Sequence, residues 1–277
     1  MTKSSEKTAL ITGSTDGVGR VVAKRLADEG WRALVHGRDR GRGEALVADI
    51  KAAGGTAEFL QADLSSTAEV RRLADVVRKT TRRLDLLINN AGLGSGVSRT
   101  TRRTSVDGYE LLFAVNYLAG FLQTKLLLPL LKGSTPARIV NVASLGQQAI
   151  DFDDVMLTHG YSGSRAYCQS KLAQILFTID LAGELAGSGV TVNALHPATY
   201  MNTTMVRQSG VTPISSVEEG ADAILKLAVA RELEGKSGLY FNGQREARAD
   251  AQAYYADARQ QLKGLSVKLT GLSAAFA

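Results

Sequence analysis

Tyr167 and Lys171 stand four residues apart, so on a helix they share one face, about 6 Å apart along the axis. That spacing has a chemical use. A free phenol has a pKa near ~10 and is a poor base at neutral pH, but a neighbouring ammonium favours the phenolate and brings it towards a working range. Tyr167 can then give a proton to an oxygen that gains electrons, and take one in the reverse direction. Ser144 follows the run Ile139-Val140-Asn141-Val142-Ala143. A hydroxyl at the end of such a strand can project from a sheet edge and donate to an oxygen on which negative charge develops. Taken singly, a Tyr-x-x-x-Lys pair is a packed tyrosine beside an exposed lysine and a serine is a turn residue, so the case rests on what accompanies them.

A second constellation lies near the start, in Thr12-Gly13-Ser14-Thr15-Asp16-Gly17-Val18-Gly19. Three glycines between a strand and a helix let the backbone turn tightly, approach a pyrophosphate closely and pack the helix on the strand, while the helix N-terminus offers free N–H groups to the anion. The end of the next apolar run, Leu34-Val35-His36-Gly37-Arg38, reads which dinucleotide fits. An NAD-binding site of this kind places a carboxylate there for the ribose 2′-OH, and a 2′-phosphate needs a cation instead. Gly37 stands in the acidic slot and Arg38 follows, so the pattern points to NADP(H) over NAD(H). The rival is Asp39, which lies 20 residues after Gly19 and satisfies the loose rule for NAD. Its alternative role is to cap a helix starting near Arg40.

The elements that must position these groups are legible as short apolar runs over 8–12, 33–36, 57–61, 84–89, 138–143, 190–195 and 238–241, each read as a buried strand. Between them lie segments of helical composition over 21–29, 42–53, 67–79, 107–131, 167–185 and 217–230. Alternation of β and α predicts one α/β domain over 1–277: a Rossmann-type, doubly wound parallel sheet of about seven strands with helices on both faces. Ligands bind such a sheet at the carboxyl ends of its strands. Three stretches without periodicity, 93–106, 146–164 and 200–216, follow strands and are therefore candidate substrate loops.

Composition excludes several other classes. The net charge of +6 comes from Lys and Arg spread along the chain, which argues against a nucleic-acid surface. Cys168 is the only cysteine, so no internal disulfide and no cysteine-paired metal site is expected. The start over 1–7 is polar and no uninterrupted apolar run approaches a membrane span, which reads as a cytoplasmic protein with no membrane partner. A dimer or tetramer of identical chains is compatible with these residues. Cys168 is read as helix packing, His196 as a structural hydrogen-bonding group and Trp31 as packing before the second strand.

In register, these motifs resemble the short-chain dehydrogenase/reductase superfamily. The glycine turn, Asn89-Asn90-Ala91-Gly92, Asn116, Ser144, Tyr167-Cys168-Gln169-Ser170-Lys171 and His196-Pro197 fall in that family's order. The resemblance implies a catalytic set of Asn116, Ser144, Tyr167 and Lys171, with Asn116 holding a proton relay near the lysine. It also implies a cofactor set of Gly13, Ser14, Thr15, Asp16, Gly17, Val18, Gly19, Arg38, Asp63, Leu64, Asn90, Ala91, Gly92, Tyr167, Lys171, Pro197 and Thr199. In this set Asp63 meets the adenine amine, Asn90 to Gly92 pass beneath the adenosine ribose, and the segment from Pro197 to Thr203 clasps the nicotinamide carboxamide. There the chain departs from the family: Ala198 replaces the usual Gly and Asn202 the usual Thr, so the carboxamide ligand is left unassigned. Ala143 replaces a frequent Ser, while the catalytic position, Ser144, is kept.

Ser144 and Tyr167 are 23 residues apart, a long spacing for the superfamily, and the tail Ala256-Asp257-Ala258-Arg259-Gln260-Gln261-Leu262 strengthens a likeness to the retinol-dehydrogenase-like branch. That likeness implies interconversion of a small carbonyl and alcohol, without carrying retinoid specificity over. Two rival readings are a non-catalytic NADP-binding sensor, which would have no use for Tyr167 and Lys171, and dehydration or epimerisation on a bound cofactor. A charge-assisted contact to phosphate is worth about 1.5 to 3 kcal/mol, roughly 10- to 150-fold in affinity. Arg38→Ala is therefore expected to weaken NADPH by that factor and leave NADH nearly unchanged; titration of both cofactors checks it, and tighter NADH binding by the unaltered protein would give the ribose to Asp39.

Overall fold

Strands form where the apolar runs lie, because a strand covered on both faces needs no polar alternation. In the computed structural model, which describes residues 6–273, β1 (Thr8–Ile11), β2 (Arg32–Gly37), β4 (Leu86–Asn89), β5 (Ala137–Val142) and β6 (Val190–His196) are almost wholly buried. With β3 (Thr56–Gln61), β7 (Tyr240–Asn242) and β8 (Arg245–Ala247) they form one eight-stranded sheet in the order β3-β2-β1-β4-β5-β6-β7-β8. β1 to β7 run parallel. β8 returns antiparallel to β7, a three-residue strand too short and polar to announce itself in the sequence. The strand order reverses between β1 and β4, which opens a crevice at their carboxyl ends.

Successive side chains of a strand point to opposite faces, and the core divides accordingly. Leu10, Leu34, Leu87, Ile139 and Val192 face one cluster with helices α3 (Thr67–Thr80), α4 (Ala119–Lys132), α5 (Gly163–Glu184) and α8 (Ala256–Thr270). Ala9, Ile11, Val35, Ile88 and Val140 face the other with α1 (Gly17–Asp28), α2 (Arg40–Ala52) and α7 (Val217–Val229). The helices start where a side chain can satisfy a free N–H: Ser66 caps α3, Ser162 caps α5 and Ser216 caps α7. Asp39 accepts from Arg42 N at 2.9 Å and caps α2.

Several boundaries differ from the sequence reading; α1, for one, starts at Gly17 rather than at 21. The helix expected over 107–131 begins instead with a π-helical turn, Phe113–Leu118, before α4, because Glu110 pairs in a bridge with Thr104 and its carboxylate accepts from Phe113 N at 2.6 Å. The helix α5 starts four residues earlier than expected, so the preceding loop ends at Ser162. The loop over 200–216 holds a short helix, α6 (Thr204–Gln208), capped by Thr203. The segment Phe113–Lys132 is long and apolar enough to cross a membrane, with a mean hydropathy of 1.2 over an 18-residue window, but 72% of that window is buried inside the protein. Of the polar start, residues 1–5 lie outside the described residues.

α8 joins the core through Leu262, which is 1% exposed, and through a buried hydrogen bond of 2.7 Å between the hydroxyls of Tyr117 and Ser266. Emptying a buried leucine site costs about 2 to 5 kcal/mol. Leu262→Ala is expected to lower the denaturant midpoint of the whole protein accordingly; an unchanged midpoint would place α8 outside the cooperative unit.

Candidate active site

The glycine turn sits at the reversal point of the sheet. Gly13 and Gly17 have φ of +64° and +53°, a conformation that favours glycine. A Cβ on Gly13 would lie 2.7 Å from Ala91 Cα, and one on Gly19 would lie 2.5 Å from Gly13 O. The turn therefore packs directly on the segment after β4. Asn90 stitches the two together, donating to Thr12 O at 2.8 Å and Gly13 O at 3.0 Å, while Thr12 Oγ1 accepts from the N–H groups of Asn90 and Ala91 at 3.0 Å each. Ser14 is fully buried and bonded to Ile11 O and His36 N. Ser14 and Asn90 thus hold the cradle in shape, and Asp16 caps α1 through Gly17 N at 2.7 Å.

His36 is a residue the sequence reading missed. Its Nδ1 accepts from Gly13 N at 3.2 Å and its Nε2 faces Ala62 O at 3.2 Å, so the neutral tautomer with the proton on Nε2 satisfies both. Burial lowers its pKa to about 4 and keeps it in that form. Nothing in a lone histidine inside an apolar run marks such a role. Beside it, Arg38 is exposed and has no ion pair among the described residues, whereas Arg40 faces Glu44 and Arg42 faces Asp16 and Asp39. Gly37 is required for a different reason from an empty acidic slot: a Cβ there would lie 2.5 Å from Thr15 Oγ1. An acidic residue at 37 therefore needs Thr15 reduced as well. Asp63 lies after β3, where its carboxylate accepts from Ser65 N at 2.9 Å, and Leu64 is buried beneath it.

At the carboxyl ends of β4 to β6 the second constellation assembles. Tyr167 and Lys171 stand one turn apart on α5, with Nζ of Lys171 5.8 Å from the centre of the Tyr167 ring. Lys171 is buried and donates to Val142 O at 2.9 Å and to Gln174 Oε1 at 3.0 Å. Burial lowers its pKa to about 7. Burial raises that of Tyr167, opposed by a hydrogen bond with Ser144, so the phenol is protonated at neutral pH. Ser144 is held in turn: its Oγ accepts from Gly146 N at 3.0 Å, and its carbonyl accepts from Tyr240 Oη at 3.0 Å and Gln147 Nε2 at 2.9 Å. Gln147 lies only three residues after Ser144, whereas Tyr240 comes from β7, 96 positions on, too distant in sequence to be associated with Ser144 beforehand.

Asn116 lies in the π-helical turn, a distortion that re-aims side chains. Its amide takes Leu93 N at 2.6 Å, gives to Leu93 O at 3.1 Å and gives to Ser170 Oγ at 3.0 Å, while Ser170 donates to Tyr167 O at 2.7 Å. It so fastens the segment after β4 to the turn of α5 that carries Tyr167. Gly92 lies between, where a Cβ would stand 3.3 Å from Asn116 Oδ1 and 3.4 Å from Lys171 Nζ.

After β6, Pro197 is buried and Thr199 Oγ1 meets His196 Nε2 at 3.0 Å; burial, then Lys171, lowers the histidine's pKa to about 4. Asn202 accepts from Arg207 Nε at 3.0 Å and Thr203 caps α6, so both side chains at the unassigned carboxamide position are engaged locally. A Cβ on Gly17 would come 3.3 Å from Thr203 Cγ2, which places the post-β6 segment over the glycine turn. Cys168 is half-buried and burial pushes its thiol up. Trp31 packs partly buried against the α1–α2 face with the Lys7 ammonium 5.2 Å over its ring.

Comparison with known proteins places this geometry. Residues 7–213 match the short chain dehydrogenase family. The chain is 39% identical to human retinol dehydrogenase 13 over 97% of its length and 86% of that protein, and 36% identical to human retinol dehydrogenase 12 over 96% and 87%. Among solved structures, an uncharacterised protein from Mycobacterium paratuberculosis superposes with a TM-score of 0.79 at 29% identity, covering 96% of this chain and 94% of that one. The RhlG/NADP active-site complex of Pseudomonas aeruginosa superposes at 0.69 and 29%, covering 85% and 94%. With a glycine turn at the reversal point of a parallel sheet and Tyr167, Lys171 and Ser144 at its edge, the chain belongs to the short-chain dehydrogenase/reductase family, in its retinol-dehydrogenase-like branch, and is an NAD(P)-dependent oxidoreductase of alcohols and carbonyls.

Proposed function

We propose that this enzyme interconverts a carbonyl and an alcohol with NADP(H), using Tyr167 as acid and base, Ser144 as hydrogen-bond donor to the reacting oxygen, and Lys171 as the cation that serves Tyr167. The observation that carries the reading is that these three groups meet at the carboxyl end of β5, with β4 alone between it and β1, the strand that leads into the glycine turn. The cradle fits a dinucleotide because no side chain can occupy Gly13 or Gly19 without striking the facing backbone. Arg38 favours a 2′-phosphate, since it is exposed and unpaired among the described residues while Asp39 is engaged in capping α2. Two solved neighbours of this fold are NADP complexes, at 29% and 26% identity.

When bound, the nicotinamide supplies or takes up the hydride. The chain's own residues handle the oxygen. In reduction the Tyr167 phenol gives its proton to the carbonyl oxygen, Ser144 donates to the same oxygen as charge builds on it, and the Lys171 ammonium stabilises the phenolate left behind. Oxidation runs the same transfers in reverse. Asn116, Gly92 and the cofactor residues named from the sequence hold this arrangement, and the whole chain acts as one unit with the segments over 93–106, 146–162 and 200–216 bounding the substrate. Leu145, just before the second of these segments, and Tyr200 and Met205 on the third are exposed apolar side chains, which favours a carbonyl carried on an apolar group.

Tyr167→Phe is expected to keep NADPH affinity and lose about 10²- to 10⁴-fold in turnover; near-normal turnover would remove Tyr167 from the mechanism. A pH dependence follows from Lys171. Below about 7 it is charged and stabilises the phenolate that reduction leaves; above about 7 it is neutral and does not. The kcat/KM for carbonyl reduction should therefore fall as pH rises through about 7, and Lys171→Met should abolish that limb, measured at saturating NADPH.

A further inference from the structure

A buried ammonium needs acceptors for its N–H groups, of which it has three, and an amine with none loses its charge. Lys171 is 5% exposed, and no ion pair to an acidic group is found for it among the described residues. The groups that face it are polar but uncharged at neutral pH: Tyr167 on its own helix, the main-chain carbonyl of Val142 at the end of β5, the amide of Asn116 across Gly92, and neutral His196 from β6. Among the described residues, one side chain accepts a hydrogen bond from Nζ. Gln174, one turn on in α5 and 4% exposed, accepts from it at 3.0 Å.

We propose that Gln174 is a positioning residue: its side-chain carbonyl, together with the main-chain carbonyl of Val142, holds the Lys171 ammonium one turn from Tyr167 and sets the pH at which that lysine charges. The choice of a glutamine is informative. An apolar side chain there would leave one N–H of a buried cation without its acceptor, so the charged form would be reached only at lower pH. A carboxylate would place a full negative charge 3 Å from the amine and keep it charged far into the alkaline range. A neutral acceptor gives the intermediate case, in which Lys171 can gain and lose its proton near neutrality. The residue does not reach the reacting atoms. It acts through Lys171, and the inference rests on the reading of Lys171 as the cation that serves Tyr167.

The experiment replaces Gln174 by Leu and by Glu in the full chain and follows Lys171 directly by NMR of protein labelled at lysine Cε, with the resonance assigned by its loss in Lys171→Met. A hydrogen bond to a charged group corresponds to about one to two pH units of titration midpoint. The expected result is a midpoint lowered by about that amount in Gln174→Leu and raised in Gln174→Glu, with the alkaline limb of kcat/KM moving in the same two directions. Gln174→Met, unbranched and of similar length, replaces the leucine variant should that one fail to fold. An unmoved midpoint, or a shift in the same direction in both variants, would reduce Gln174 to core packing and overturn the proposal. Midpoints that move in opposite directions while the kinetic limb stays fixed would uphold the role of Gln174 and instead remove Lys171 from control of Tyr167.

Discussion

Much of the carboxyl edge of this sheet is arranged around one physical constraint, the retention of a titratable amine in a place from which water is excluded. Burial alone drives Lys171 towards the neutral form, and the surrounding elements supply what counters it. β5 ends at Val142 and leaves that carbonyl to accept from Nζ; α5 brings Gln174 one turn beyond; Gly92 keeps the post-β4 segment clear of the amine, since a Cβ there would stand 3.4 Å from Nζ. The result is an amine balanced between its two states rather than locked in either. That balance is what a residue needs if it is to help a neighbouring phenol give and regain a proton at neutral pH.

The registration of α5 against the sheet is set by a second set of buried polar groups. Asn89 donates to Thr124 on α4 and to Asn141 on β5, Asn141 donates to Thr178 on α5, and the Thr178 hydroxyl returns to Gln174 O. Each contact is between 2.8 and 2.9 Å, and every member is nearly or fully buried. A buried network of this kind is costly if one partner is displaced. Sliding α5 along the sheet would break the chain of bonds at Thr178, one helical turn or so from Gln174 and two from Lys171. The network therefore fixes the rotation and height of the helix that presents Tyr167 and Lys171, while the surrounding apolar contacts alone would tolerate small shifts.

Much of this was legible beforehand, for identifiable reasons. Buried parallel strands are near-continuous apolar runs, so seven of the eight strands and the doubly wound sheet followed from composition and alternation. That Tyr167 and Lys171 share one helix face followed from their spacing, their chemical reading from the motifs that accompany them, and Asp39 as the cap of α2 from residue type at a strand-to-helix turn. The residues that were missed act through contacts distant in sequence. Tyr240 reaches Ser144 from 96 positions away, and His36 braces Gly13 from the neighbouring strand, 23 positions on. The π-helical turn was read as ordinary helix because a one-residue change in hydrogen bonding leaves the apolar periodicity nearly intact. Gln174 is the exception: it stands three residues after Lys171, a spacing at which helical side chains meet, and its polar type in an otherwise apolar stretch was a signal available from the start.

The two halves of the site differ in what they are made of, and this bears on how each can change. The cofactor side is built mainly from backbone: glycines that admit close approach, N–H groups at the start of α1, and carbonyls held by Asn90. Its shape depends on absent side chains, so most substitutions there fill space that the fold cannot release. Gly37 shows the constraint, since even the first carbon of a side chain meets Thr15. Arg38 on that side is exposed at the strand end, with its backbone carbonyl accepting from Gln61 Nε2 at 2.8 Å. The chemical side is built from side chains whose protonation depends on burial and on single hydrogen bonds. The acceptors of Lys171 Nζ are single atoms that can be exchanged without changing a backbone contact, whereas on the glycine side even a Cβ meets neighbouring atoms. On the function proposed above, selectivity between the two dinucleotides falls to Arg38 and control of proton transfer to the buried polar atoms around Lys171.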